Sequence, residues 1–192
     1  GAVLGMAISN LLEQIGFTVT KEYYVNDAGR QISILTSSVI LNAYAKTFES
    51  EGTYEGDYIK TLADDFREEH GDLDEEIILG KLDSDKDIRL DSIASYLQGS
   101  FEDLWEKARV FSVERILDII KRDLHNFNII HDSWFKESSL GKADDTNSDL
   151  SKSLEIIETK GHTFEKDGAK WFRTTEFGDD KDRVLLLSLI HI

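Results

Sequence analysis

The sequence predicts an α/β fold carried on a parallel sheet, and three features point there. A helical apolar stripe, an alternating stretch and a second helical stripe follow one another within the first 45 residues. That helix–strand–helix order places consecutive strands in parallel, joined by crossover helices. A second extended stretch, residues 129–135, returns only after a long and strongly charged helical segment. Polar residues gather where the first expected strand ends, which in an open α/β sheet is the edge that binds ligands.

Taken in order, Leu4, Ile8, Leu11, Leu12 and Ile15 fall on one helical face, and Gly16 is placed to end that helix. Phe17, Val19, Lys21, Tyr23 and Val25 then alternate with Thr18, Thr20, Glu22 and Tyr24, the pattern of a strand. Asn26 or Asp27 can cap the next helix, whose apolar face is Ala28, Ile32, Leu35, Val39 and Ala43. From residue 53 to about 128 the pattern is mostly helical. Tyr58, Leu62 and Phe66 make one stripe and Ile116, Ile120 and Leu124 another, separated by an Asp- and Lys-rich loop at 83–87. This segment is expected to be a helical insertion between two strands of the sheet. After the extended stretch at 129–135 comes a helix with Leu150, Leu154 and Ile157 on one face, closed by Gly161. Last is a hairpin, residues 162–165 and 169–173, flanking Lys166-Asp167-Gly168, whose Asp-Gly pair suits a tight turn. No internal repeat is present.

The formal net charge of −16 over 192 residues argues against general nucleic-acid binding, since affinity for phosphates comes from clustered Lys and Arg. The absence of cysteine excludes disulfides, thiol catalysis and zinc–thiolate sites in this segment and fits a reducing cytoplasm. Gly1 is followed by no basic stretch, so no secretory leader is expected. No apolar run approaches the roughly 18 residues that cross a bilayer. His70, His125, His131, His162 and His191 show no paired ligand spacing, so no protein-bound metal is expected. Gly1-Ala2-Val3-Leu4-Gly5 does not make a phosphate-binding glycine loop. Proline is absent as well, a feature with no functional reading.

Two polar groups stand at expected strand ends. Asn26, Asp27, Gly29 and Gln31 can present amide and carboxylate groups to a ligand, with Gly29 permitting close backbone approach. The same residues are also good cap and turn chemistry, which their side chains alone favour. Glu137 follows the second extended stretch, beside Trp134 and Phe135. A carboxylate there suits a planar guanidinium, which is best recognised by two acceptor oxygens; the plainer alternative is an exposed charge at a helix N-terminus. The run Thr174-Thr175-Glu176-Phe177-Gly178-Asp179-Asp180-Lys181-Asp182-Arg183 has the composition of a solvated loop.

Three segments, in the same order, resemble the arginyl-tRNA synthetases, a class I aminoacyl-tRNA synthetase family. They are Tyr23-Tyr24-Val25-Asn26-Asp27-Ala28-Gly29-Arg30-Gln31, Ser133-Trp134-Phe135-Lys136-Glu137-Ser138-Ser139-Leu140, and Trp171 through the Asp-Lys-Asp-Arg run to Leu185. The resemblance covers most of residues 1–185, dense at 1–45 and 129–185 and thin at 70–125. It implies a truncated Rossmann-like nucleotide-binding sheet with a helical insertion: residues 1–50 the first part of the catalytic domain, 51–128 the insertion and 129–185 the return. The implied reaction is ATP-dependent activation of arginine and transfer to tRNA(Arg). ATP with Mg2+ enters as substrate, and tRNA is held mostly by domains outside this segment, in the cytoplasm and without a membrane. The resemblance gives Glu137 the position of the glutamate that contacts the arginine side chain. It sets Asn26, Asp27 and Gln31 at the arginine pocket, and Gly29, Asp180, Lys181 and Arg183 in loops near the active site. No residue is given a catalytic step.

The family's His-Ile-Gly-His-like signature would end just before Gly1 and its Lys-Met-Ser-Lys-Ser-like loop would follow Ile192, so the segment alone is expected to be inactive. Met6 stands where the family commonly has aspartate, and Glu55 where it has proline. Residues 186–192 depart from the family's polar continuation, and 187–192 match one reading frame of a sequencing adapter, which predicts a non-native tail; the alternative is a genuine apolar terminal strand. Two other readings remain at this stage: a non-catalytic paralogue that keeps the fold, and an acidic α/β interaction protein whose matches are coincidental.

Overall fold

A computed structural model describes residues 1–45, 52–79, 90–141 and 143–187. The chain divides into two compact units, Gly1–Glu137 and Ser138–Ile192. The loop expected at 83–87 and residues 188–192, on which the tail reading and His191 depend, lie outside the described residues.

The first unit opens with helix α1 (Ala2–Gln14). Gly16, at φ +95, ends it as expected: its N–H donates to Glu13 O and that of Phe17 to Leu12 O, both at 3.0 Å, the paired bonds of a left-handed C-terminal cap. Strand β1 (Glu22–Val25) pairs in parallel with β2 (Ser133–Lys136). The alternation from Phe17 therefore becomes a strand only in its last four residues, the length over which β2 runs alongside. Between the two strands the chain is helical: α2 (Arg30–Tyr44), α3 (Asp57–His70), α4 (Glu75–Leu79), α5 (Leu90–Ser100) and α6 (Glu102–Asn126).

The core lies among these helices. Helix α2 runs through it, with Leu35, Val39, Ile40, Leu41, Ala43 and Tyr44 buried against Ile59, Leu62 and Phe66 of α3, Ile93 and Leu97 of α5, and Trp105, Ala108 and Phe111 of α6. The expected stripes hold with shifts. Tyr58 points outward and Ile59 takes its place, while Ala28 precedes the helix it was expected to join. Ile116, Ile120 and Leu124 are half-buried, and the deeper burial on α6 comes earlier, at Trp105, Ala108 and Phe111. Thr36, Ser37 and Ser38 lie fully inside α2. Thr36 and Ser38 donate to the carbonyls of Ile32 (2.8 Å) and Ile34 (2.7 Å), which removes the cost of burying their hydroxyls.

Asn26 and Asp27 do not cap α2. The Asp27 N–H turns back to Val25 O at 3.1 Å, a tight exit from the strand that delays the helix. Gly29, at φ +79, occupies the N-cap position without a side-chain bond. A Cβ at Gly29 would meet no protein atom within 4 Å, so glycine serves its positive φ there, not close packing of the chain on itself.

The second unit holds α7 (Asp149–Thr159), ended by Gly161 as expected and capped by Ser148, whose hydroxyl accepts from Ser151 N at 3.0 Å. The expected hairpin is β3 (Thr163–Lys166) with β4 (Ala169–Phe172), turning through Asp167 at φ +52 and Gly168 at φ +70. Two successive positive φ values make this the tight turn that matches strand twist. Strand β5 (Arg183–Leu187) extends the sheet antiparallel to β4, so Leu186 continues a strand opposite Lys170.

The loop between β4 and β5 is exposed but internally latched. Thr174 Oγ1 donates to Lys181 O (2.6 Å), and Thr175 donates through its N–H (3.1 Å) and hydroxyl (2.8 Å) to Asp182 Oδ1. Arg183 grips Asp179 with Nε and Nη2, both at 2.8 Å, and Asp180 with Nη2 at 2.9 Å. The Arg183 guanidinium, helped by bonds from Asp180, holds the Asp179 carboxyl well below the usual carboxylate range. A depressed carboxyl favours the latched state above its unlatched value of about 4 and loses that advantage as pH falls. Carboxyl-carbon NMR is expected to find Asp179 still ionised at about pH 4, where an ordinary aspartate is half protonated, and Arg183→Gln to return it to that range. An ordinary Asp179 titration in the parent chain would contradict the latch.

Helix α1 buries no residue. Leu4 and Leu11, on its predicted apolar face, are 66% and 68% exposed, and Ile8, Ile15 and Phe17 are exposed beside them. The apolar side chains of α1 therefore face away from the rest of the described unit. Leu4→Lys combined with Leu11→Lys should lower binding of a hydrophobic dye by the 192-residue chain while changing stability by less than about 0.5 kcal/mol. A loss of about 2 kcal/mol or more would mean that these side chains are packed.

Candidate functional site

Parallel pairing of β1 with β2 sets Tyr24 opposite Phe135 and Val25 opposite Lys136. The next residue on each strand, Asn26 and Glu137, therefore emerges at the same carboxyl edge. Glu137 is half-buried and begins a single turn of 3-10 helix. The Asn26 and Gln31 side-chain amides lie 3.2 Å apart. With its nitrogen turned toward acceptors, the Asn26 amide donates to Glu137 Oε2 at 3.2 Å and to Ala28 O at 2.8 Å. A carboxylate only accepts, so this orientation is the favourable one.

Tyr24 completes the cluster. Partial burial of its phenol, then the charge of Glu137 and a hydrogen bond to it, and last the charge of Asp27, hold its hydroxyl above the ordinary tyrosine value. The phenol thus stays a neutral donor to Glu137 across the physiological range. Asp27 is only 4% exposed; Arg109 Nη1 donates to its backbone oxygen at 3.3 Å, and its carboxylate charge acts on both Arg109 and Tyr24.

The structure therefore brings Asn26, Asp27, Gln31 and Glu137 into one neighbourhood. Two carboxylates, two amides and a phenol gather at this edge, a set whose free acceptors suit a planar cation with several N–H groups. Asp180, Lys181 and Arg183 belong to the second unit. There Asp180 and Arg183 are bound to each other, and the Lys181 side chain is exposed. Sequence reasoning missed Tyr24, Arg109 and Glu106. Tyr24 had a usable signal, as the outward residue of an alternating strand two places before Asn26. Arg109 had none, since a Glu and an Arg three apart on a helix form an ordinary surface pair. Among the described residues no group of three His, Asp or Glu is placed to hold a metal ion, and no helix is long and apolar enough to cross a membrane.

Comparison with known proteins identifies the family. The family profile for the class I tRNA synthetases for arginine, catalytic domain, matches residues 1–188. Arginine–tRNA ligases of Psychrobacter arcticus and Psychrobacter cryohalolentis are 38% and 36% identical over 96% of this chain and 33% of their own length. That of Acinetobacter baumannii is 36% identical over 96% of this chain and 34% of its own. The crystal structure of a Campylobacter jejuni chain assigned as an arginyl-tRNA synthetase superposes with a TM-score of 0.63 at 29% identity, covering 96% of this chain and 35% of that one. The chain thus spans about a third of the length of the relatives it matches. A match over nearly every residue rules out the reading of coincidental resemblance. The chain belongs to the catalytic-domain family of the class I arginyl-tRNA synthetases.

Proposed function

We propose that this chain is the catalytic-domain portion of an arginine–tRNA ligase and that Glu137 selects the amino acid. The observation that carries the reading is the joint emergence of Asn26 and Glu137 at the carboxyl edge of β1 and β2, with Tyr24 on the same carboxylate. In this reading the arginine guanidinium lies against Glu137, the Asn26 amide steadies that carboxylate, the Gln31 amide offers its oxygen to the guanidinium N–H groups, and buried Asp27 adds negative charge behind them. The family resemblance would put Gly29, Asp180, Lys181 and Arg183 in loops near the reacting groups. The same resemblance would make residues 1–50 and 129–185 the catalytic domain and 51–128 its helical insertion.

The reaction needs no protein nucleophile. The arginine carboxylate attacks the α-phosphorus of ATP, forming arginyl-adenylate and releasing pyrophosphate. A hydroxyl of the terminal tRNA ribose then attacks the carbonyl carbon and releases AMP. Rate comes from holding the reactants in line and from stabilising charge as it develops on phosphate. Mg2+ would arrive with ATP; the described residues offer no cluster of three His, Asp or Glu to bind it. With a net charge of −16, this segment contributes little tRNA affinity of its own, so tRNA(Arg) would be gripped by the remaining two thirds of the relatives' length. The reading places the protein in the cytoplasm, where translation occurs.

The test is Glu137→Gln in the full-length protein, assayed by arginine-dependent exchange of pyrophosphate into ATP. Losing one member of a partly desolvated ion pair should cost about 2–4 kcal/mol, or about 30- to 800-fold in kcat/KM for arginine. Discrimination against citrulline, the uncharged isostere, should shrink in parallel. A variant that activates arginine as well as its parent would remove Glu137 from the role of selector.

A further inference from the structure

The turn carrying Asn26 and Asp27 is held from outside the sheet. Arg109, in the third turn of α6, is oriented by the carboxylate of Glu106 one turn earlier. Glu106 accepts from Nε at 2.9 Å and from Nη2 at 2.6 Å. That fork leaves Nη1 aimed at the Asp27 carbonyl, to which it donates at 3.3 Å. The helix behind it is firmly seated, since Trp105, Ala108 and Ser112 are all buried. Arg109 is strengthened as a cation by Glu106 first and by the Asp27 charge last.

A second tie runs from Arg30, the first residue of α2, to Asp91 of α5, with bonds of 2.8 and 3.1 Å. Its two side chains are 66% and 58% exposed, so water competes for both and the pair holds the turn weakly. Arg109 is 30% exposed and already shaped by Glu106, so less freedom is lost when it binds Asp27. Of the two ties, Arg109 is the one able to set the turn.

One peptide unit separates the Asp27 carbonyl from Asn26, whose amide reaches Glu137 at 3.2 Å. That distance is at the long end for such a bond, and a further shift of about half an ångström would break it. We infer that Arg109, clamped by Glu106, is a positioning residue that sets arginine affinity by holding the Asn26–Asp27 turn at its working distance from Glu137. The inference rests on the reading of this cluster as the arginine pocket. Arg109 touches neither substrate, so its loss weakens arginine binding and leaves ATP binding and the chemical step in place.

The experiment measures arginine-dependent pyrophosphate exchange by the full-length protein, with KM for arginine and for ATP taken separately alongside the thermal midpoint. Arg109→Met should raise KM for arginine about tenfold, the effect of one lost hydrogen bond to a charged group, with kcat and KM for ATP within about twofold. Glu106→Gln sits on an exposed helix face and spares the core, so it keeps the test valid if Arg109→Met folds poorly; it should move KM for arginine the same way by less. Arg109→Lys should recover part of the affinity. Unchanged arginine KM in all three variants, or a fall in thermal midpoint with both KM values and kcat moving together, would overturn the inference. A parent protein with no arginine-dependent exchange would sink the ligase reading itself, and this inference with it.

Discussion

Everything at the polar edge depends on the register of β1 against β2, and that register is set at the opposite end of the strands by Asp132. Its carboxylate accepts the Lys21 N–H at 2.8 Å, while the N–H groups of Asp132 and Ser133 donate to Lys21 O at 2.7 and 3.1 Å. Three bonds on Lys21 leave the two strands no room to slide. A slip of one residue would send every side chain of a strand to the other face and carry Glu137 away from Asn26. The pairing also sorts the aromatic residues: Tyr23 stacks on Trp134 with ring centres 4.6 Å apart, and Tyr24 lies 6.0 Å from Phe135. The same four-residue ladder that brings amide and carboxylate together thus sets one aromatic pair on each face of the sheet.

A two-stranded sheet is a marginal platform by itself, and the helices between the strands supply what it lacks. Helix α2 leaves the polar turn and runs directly into the buried core, and α6 returns from that core to β2. The turn is therefore connected at one end to the best-packed helix of the unit and touched from the side by Arg109 of another. The helical segment between the strands is in this sense part of the site's framework. Packing on Phe66, Ile93, Trp105 and Ala108 transmits to the turn a rigidity that the short strands could not generate.

Local signals were legible in the sequence wherever one residue type has one use. Gly16 and Gly161 end their helices as expected, and Asp167-Gly168 makes the expected hairpin turn. Asn128, which closes α6 at φ +55 with N–H bonds from Asn128 to His125 and from Ile129 to Leu124, was less visible, because asparagine serves many roles. The Asn26–Asp27 pair misled as a helix cap: the cap rule counts residues from an apolar stripe and cannot see that the strand turns sharply at Asp27. Burial of Thr36 and Ser38 was not legible either, since their bonds to the carbonyls of the preceding helical turn are invisible in composition. The meeting of Asn26 with Glu137 joins residues more than a hundred positions apart, and only the family resemblance suggested it. Arg109 was beyond either route, because what distinguishes it from other surface arginines is the one backbone oxygen it reaches.

The central claim is that Asn26 and Glu137 act on arginine as one unit, and a double-mutant cycle measures this directly. Asn26→Ala, Glu137→Gln and the double variant would be compared in the full-length protein through kcat/KM for arginine. Groups in contact through a shared ligand are expected to couple by about 1 kcal/mol or more, because once Glu137 is lost the Asn26 amide has less to orient. Additive losses, within about 0.3–0.5 kcal/mol, would mean that the two side chains work independently and that their meeting at the sheet edge is incidental to arginine.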